Sequence, residues 1–139
     1  MGVVLFLVIS GVLARFLQVE NVERDADYAL IQAETKGDAA SMVEQLGGCR
    51  EQSSCVAVTR ANASDKRLRR SGTVKFLQLQ SATAYSLFGA TGKTRLAWTV
   101  IGKLPIVQCV DVRRTGNFLT GIHVKLIGLS APIPNENDC

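Results

Sequence analysis

The chain has 139 residues, of which 47% are hydrophobic and 20% charged, and its formal net charge is +4. That length holds one ordinary domain, and the composition excludes a disordered or low-complexity chain. So small a positive charge gives no support to a strongly basic nucleic-acid-binding domain.

The first element is an uninterrupted apolar block, Gly2 to Ala14 (GVVLFLVISGVLA), without a charged side chain. As a helix it rises about 20 Å, short of the roughly 30 Å hydrocarbon core of a bilayer. Continuing through Arg15 to Val19 nearly closes the gap, because an arginine near a helix end can send its guanidinium to the interface. Residues 1–19 therefore read as a single membrane anchor or uncleaved signal segment, and residues 20–139 as an extracytoplasmic domain. A cleaved secretory signal is the alternative, with small residues around Val12-Leu13-Ala14, and it would make the protein secreted; a buried N-terminal core helix is the third reading. The block has no basic flank, which suggests a coding start upstream of Met1.

Glu20 to Leu46 is rich in Ala, Leu, Glu and Gln, strong helix formers. Val22, Ala26, Ala29, Leu30 and Ala33 fall three and four apart, which predicts an apolar stripe beside charged Glu23, Arg24, Asp27 and Glu34. Gly37 ends this helix, and Asp38 caps a shorter one that buries Met42, Val43 and Leu46. Gly47-Gly48 stops the second helix. Ser53 or Ser54 starts a third, running to Ala61.

Cys49, Cys55, Cys109 and Cys139 fit an oxidising compartment and two disulfides. Three pairings are open. Cys49–Cys55, closing a small polar loop, and Cys109–Cys139, tying the tail to a strand, are favoured over the other two. A metal site is not expected, since a C-x5-C pair with distant single cysteines and one histidine lacks zinc-module spacing. Four separate buried thiols remain the bland alternative.

From Gly72 the chain turns to β-branched and aromatic residues punctuated by Gly, Pro and Asn. Strands are predicted at Thr73–Gln80, Thr83–Phe88, Thr94–Ile101, Ile106–Arg113 and Phe118–Leu129. The third alternates, with Leu96, Trp98 and Val100 on one face and Arg95, Ala97 and Thr99 on the other. Short connections imply antiparallel pairing, and helices followed by a meander imply an α+β fold. The tail SAPIPNENDC should run extended.

The segment ALIQAETKGDAASMVEQL (Ala29 to Leu46), a helix, a Gly-Asp turn and a second helix, together with RRTGNF (Arg113 to Phe118) at the last hairpin, resembles the nuclear-transport-factor-like, or cystatin-like, fold. The resemblance covers about 110 residues and implies N-terminal helices packed in the hollow of a curved, cone-shaped antiparallel sheet. Bacterial membrane proteins of similar plan include the inner-membrane scaffold component of type IV secretion systems and accessory proteins of actinobacterial lipid-import complexes. By that analogy the chain is a non-enzymatic envelope protein whose outer domain binds a protein partner or supports a membrane-associated assembly.

Three stretches invite chemistry. LFGATGKT (Leu87 to Thr94) ends like a phosphate-binding loop, but the position of its first glycine is Leu87, and an alternating strand follows instead of a helix. No nucleotide is expected; Gly89 to Gly92 read as a turn between strands. The run Lys66-Arg67-Leu68-Arg69-Arg70 lacks aromatic stacking partners, so it reads as a solvated connection, not a nucleic-acid site; attraction to an anionic membrane surface is the alternative. His123, the only histidine, shares a strand face with Lys125 and is expected to face solvent. Enzymes of the resembled family place Asp, His or Tyr inside the cone, roles for which Asp111, Tyr85 and His123 are the candidates. If the hollow instead holds a small apolar ligand, Trp98, Phe76, Leu96 and Tyr85 are its expected walls. No cofactor is implied.

Overall fold

The computed structural model describes residues 2–82, 90–117, 121–134 and 139. Its first element, helix α1, spans Gly2–Lys36 without a break. The apolar leader and the charged segment behind it are one helix, where two elements meeting near residue 19 were expected. The reason lies in the join: Ala14 to Glu20 (ARFLQVE) contains neither proline nor glycine and consists mostly of good helix formers.

Gly37 ends α1 at φ 72°. Its amide donates to the Glu34 carbonyl and that of Asp38 to the Ala33 carbonyl, both at 2.9 Å, which satisfies the last turn of the helix. A Cβ at Gly37 would also meet the Ala63 carbonyl at 2.9 Å. The Asp38 carboxylate then accepts from the Ser41 amide at 3.1 Å and caps α2, Ala39–Gln45. A 3-10 turn at Cys49–Glu51 leads into α3, Ser53–Ser64. Both short helices lie where the sequence placed them, and Met42 and Leu46 are buried as expected.

Four strands follow in the described residues: β1 Val74–Ser81, β2 Ala90–Val100, β3 Ile106–Asn117 and β4 Gly121–Leu129. They form one antiparallel meander in the order β1-β2-β3-β4, so the fold is α+β. Register shifts at Phe76/Gln78 and Asp111/Val112 mark bulges, which bend and twist a sheet. The expected strand at Thr83–Phe88 lies outside the described residues. Ala90 to Gly92, expected in a turn, are strand residues, because the long β3 offers Arg114, Arg113 and Val112 as partners. The last strand begins at Gly121 among the described residues, and β3 runs four residues past Arg113.

The core lies between the second half of α1, the two short helices and one face of the sheet. Leu30, Ile31, Met42, Leu46 and Leu68 pack there with Leu96, Trp98, Val110, Val112, Leu126 and Leu129. Strand alternation aims Thr94, Leu96, Trp98 and Val100 of β2, and Ile106, Gln108, Val110, Val112 and Arg114 of β3, at the helices; all nine are buried. On α1 the outcome departs from expectation. Val22 and Ala29 are exposed, whereas Glu23, Asp27 and Glu34, expected beside the buried stripe, lie within it.

Both disulfides form as favoured, Cys49–Cys55 and Cys109–Cys139. They close loops of 6 and 30 residues, for which chain entropy gives about 2 and about 4 kcal/mol. Denaturant titration of the full chain in detergent, followed by fluorescence of the single, buried Trp98, is expected to show the greater loss for Cys109→Ser/Cys139→Ser. Cys49→Ser/Cys55→Ser should cost about half as much.

Candidate functional site

Helix α1 runs antiparallel to β3, and two polar contacts fix one against the other. Glu23 takes an ion pair from Arg114, while Glu34 Oε1 accepts a 2.9 Å hydrogen bond from Gln108 Nε2. Eleven helical residues rise about 16 Å and six strand residues about 20 Å, so the spacing of the two acids nearly matches that of their two partners. A shift of α1 by one turn would break both contacts together.

Each contact belongs to a wider network. Thr94 Oγ1 donates to Glu23 Oε1 at 2.6 Å, and Arg114 Nη2 also reaches Ser81 Oγ at 3.0 Å. At the other end Trp98 Nε1 donates to Gln108 Oε1 at 2.7 Å, and the amides of Gln108 and Asn62 both donate to the Ser130 carbonyl. Helices α1 and α3, strands β2 and β3 and the chain after β4 are thus joined by buried polar groups. Burying these groups without partners would cost several kcal/mol.

Asp27 stands between the two contacts and has neither solvent exposure nor a hydrogen-bond partner for either carboxylate oxygen. It lies outside the apolar leader, in the domain itself. Burial, followed by the charge of Glu23 one turn away, pushes its pKa up to about 8. Glu34 rises to about 7, chiefly from burial and against the opposing hydrogen bond from Gln108. A carboxyl sealed from solvent meets no substrate, so Asp27 belongs to the core and not to an active site.

The residues singled out in the sequence are not brought together. Thr115 pairs with His123 and lies four residues along β3 from Asp111, or about 13 Å. His123 is exposed, as expected; Tyr85 lies outside the described residues. Gly92, Lys93 and Thr94 are strand residues paired with Val112, Asp111 and Val110, so the Gly-Lys-Thr stretch forms no phosphate loop. Asn62, within an Asn-Ala-Ser acceptor sequence, is buried and hydrogen-bonded, which withdraws it from glycosylation in the folded domain. Among the proposed ligand walls, Trp98 and Leu96 have no exposed surface and are core residues.

Phe76 does line clefts. One, about 450 Å³, is bounded by Glu20, Glu23, Arg24, Phe76, Leu79 and Arg114 among others, at the end of the domain where α1 enters it. A separate cleft without Phe76, about 360 Å³, lies at the opposite end and is lined by Gln32, Thr35, Lys36, Arg69, Arg70, Ser71 and Gly72. It contains three cations and no acid. Arg70 is built into its wall: Nη1 donates to the Leu104 carbonyl at 2.5 Å, Nε to the Arg67 carbonyl at 2.8 Å, and the guanidinium lies 5.6 Å from the Trp98 ring centroid.

Comparison of the chain with protein-family models, with curated proteins and with solved structures gives no match.

Two outcomes follow from the buried stripe. Because the folded pKa of Asp27 lies above its unfolded value, the folded state holds the extra proton between about pH 4 and pH 8. Stability conferred by the protonated form is complete below pH 4 and is lost progressively as pH rises to 8. Asp27→Asn, which mimics the protonated acid, should be neutral at pH 4 and stabilise by on the order of 5 kcal/mol at pH 8 in denaturant titrations. Arg114→Met strands Glu23 and should cost about 3–5 kcal/mol, most of it restored in Glu23→Gln/Arg114→Met.

Proposed function

We propose that this protein is a single-pass component of a cell envelope, held by the first half of α1, with a disulfide-bonded outer domain that binds a protein partner or supports a membrane-associated assembly. The observation that carries the reading is the contrast along α1. Val3 to Leu13 present apolar side chains that are 42–72% exposed, whereas Val19 is buried against the domain. An 18-residue window of this helix has a mean hydropathy of 2.1 and is only 7% buried. So much contiguous apolar surface is not stable in water, and a bilayer is the solvent that fits its length.

The disulfides support an oxidising space on the far side of that bilayer. Binding is favoured over catalysis because Asp111 and His123 stand apart on the sheet and the perturbed acids are sealed in the core. The likeness to small nuclear-transport-factor-like envelope proteins belongs to this proposal, resting on the helix–Gly-Asp–helix opening and the meander. A second reading, an amphipathic ligand in the 450 Å³ cleft, is favoured by the position of that cleft. Glu20 and Arg24 would stand at headgroup level, with Phe76 and Leu79 beside them.

Fractionation of cells expressing the full chain tests the proposal. The expected result is a full-length protein that resists alkaline carbonate, is released by detergent and has no free thiol under denaturing conditions. A carbonate-soluble protein with four reduced thiols would overturn it.

A further inference from the structure

The basic run Lys66 to Arg70 is joined by other groups that the sequence keeps far apart. The Arg70 amide donates to the Thr35 carbonyl at the end of α1, and its side chain holds the Leu104 carbonyl. Four segments therefore converge: the last turn of α1, the Gly37-Asp38 turn, the α3–β1 connection and the β2–β3 turn. The helical rise from Val19 to Lys36 places this end about 25 Å along the helix from buried Val19. If the leader spans a bilayer, this surface faces away from it, which removes lipid of the same membrane as its partner.

Two properties mark the surface. Lys36, Lys66, Arg69 and Lys103 make no salt bridge among the described residues; Arg67 alone is paired, with Asp65. Ile101 and Leu104 on the β2–β3 turn are 70% and 82% exposed, more than the other large aliphatic residues described outside the leader. The turn is held in this pose, since the Thr99 hydroxyl donates to the Lys103 carbonyl at 2.7 Å and the Lys103 amide to the Val100 carbonyl at 2.9 Å. A held turn showing two large aliphatic side chains beside an acid-free basic cleft is the complement of a chain that alternates carboxylates with aliphatic residues.

We infer that the end of the domain farthest from the bilayer is the docking surface for a protein partner, and that it takes an acidic, leucine-bearing segment of that partner. Carboxylates enter the cleft between Lys36, Arg69 and Ser71, and aliphatic side chains pack on Ile101 and Leu104. This deepens the partner-binding reading above and rests on it. Arg70 has a different part: it props the turn through the Leu104 carbonyl and stacks on Trp98, so it positions the surface.

The full chain in phosphatidylcholine nanodiscs is titrated with a fluorescein-labelled peptide of alternating Glu and Leu, with the Gln–Leu peptide as control. Vesicles of phosphatidylglycerol in phosphatidylcholine serve as a second probe. Binding to the acidic peptide alone is expected, weakened about tenfold or more by Arg69→Glu/Lys103→Glu and by raised salt, and about fivefold by Leu104→Ser. These side chains are exposed, so unchanged Trp98 fluorescence verifies the fold. Equal binding of both peptides, insensitivity to the substitutions, or capture of the vesicles in preference to the peptide would overturn the inference. In cells, a photo-crosslinking residue at Leu104 should join a protein through a peptide rich in Asp or Glu, and Arg69→Glu should abolish the adduct. Crosslinks from Leu77 on β1 but none from Leu104 would overturn this surface and leave partner binding standing; none from either would overturn both.

Discussion

One helix carries two surfaces of opposite kind, an exposed apolar one and a buried one that includes acids. The first half of α1 exposes nine large apolar side chains between Val3 and Leu13, and its second half supplies the central ridge of a soluble core. The same backbone carries both, with no proline or glycine at the join. Under the proposed membrane reading, an anchor built this way would not hang the domain from a flexible tether: the direction in which the helix left the bilayer would set the direction in which the sheet is presented. The polar contacts to β3 then fix where along the helix the sheet sits. Glu23 with Arg114 and Glu34 with Gln108 act as two stops, and an apolar ridge alone would tolerate sliding by a turn at lower cost. Specificity of register is the best account of why four hydrogen-bonding or charged side chains occupy positions where aliphatic residues would pack well.

Much of the fold was legible from local signals. The Gly37 stop, the Asp38 cap and the burial of Met42 and Leu46 follow from the chemistry of helix ends. The alternation in β2 showed which of its residues face inward, and the favoured cysteine pairs are those formed. Less legible was the face that α1 buries. Val22, Ala26, Ala29, Leu30 and Ala33 suggested a stripe by hydropathy, while the stripe actually buried contains Glu23, Asp27 and Glu34. Hydropathy assigns an acid to solvent unless a partner is known, and Arg114 and Gln108 lie more than seventy residues away. A signal was nonetheless present: on β3 the inward row Ile106, Gln108, Val110, Val112, Arg114 has a polar residue near each end, and the acids on α1 are spaced to meet them. Neither pattern means much without the other. Long-range pairing also explains the early start of β2, since Ala90 to Gly92 look like a turn until β3 is long enough to hold them.

The buried carboxyls shape how the domain should respond to its surroundings. Asp27 and Glu34 are both pushed upward by burial, to about 8 and about 7, so the core is best satisfied in mildly acidic conditions and carries increasing electrostatic tension toward alkaline pH. Such tension sits in the half of the helix that packs on the sheet. The chemistry on the surface is separate from it. Cations and exposed aliphatic residues gather at the far end, and the amphipathic cleft lies at the near end, so the polarity of α1 sorts the candidate surfaces by distance from the apolar leader.

The unbroken path of α1 from apolar leader into core is tested most directly by hydrogen–deuterium exchange with mass spectrometry on the full chain in nanodiscs. The account predicts slow exchange for amides from about Leu7 through Thr35, with no fast segment at the join, in peptides covering residues 14–20. Rapid exchange confined to that join would make the leader a tethered, separate helix, and rapid exchange throughout Val3 to Leu13 would remove the bilayer from the account altogether.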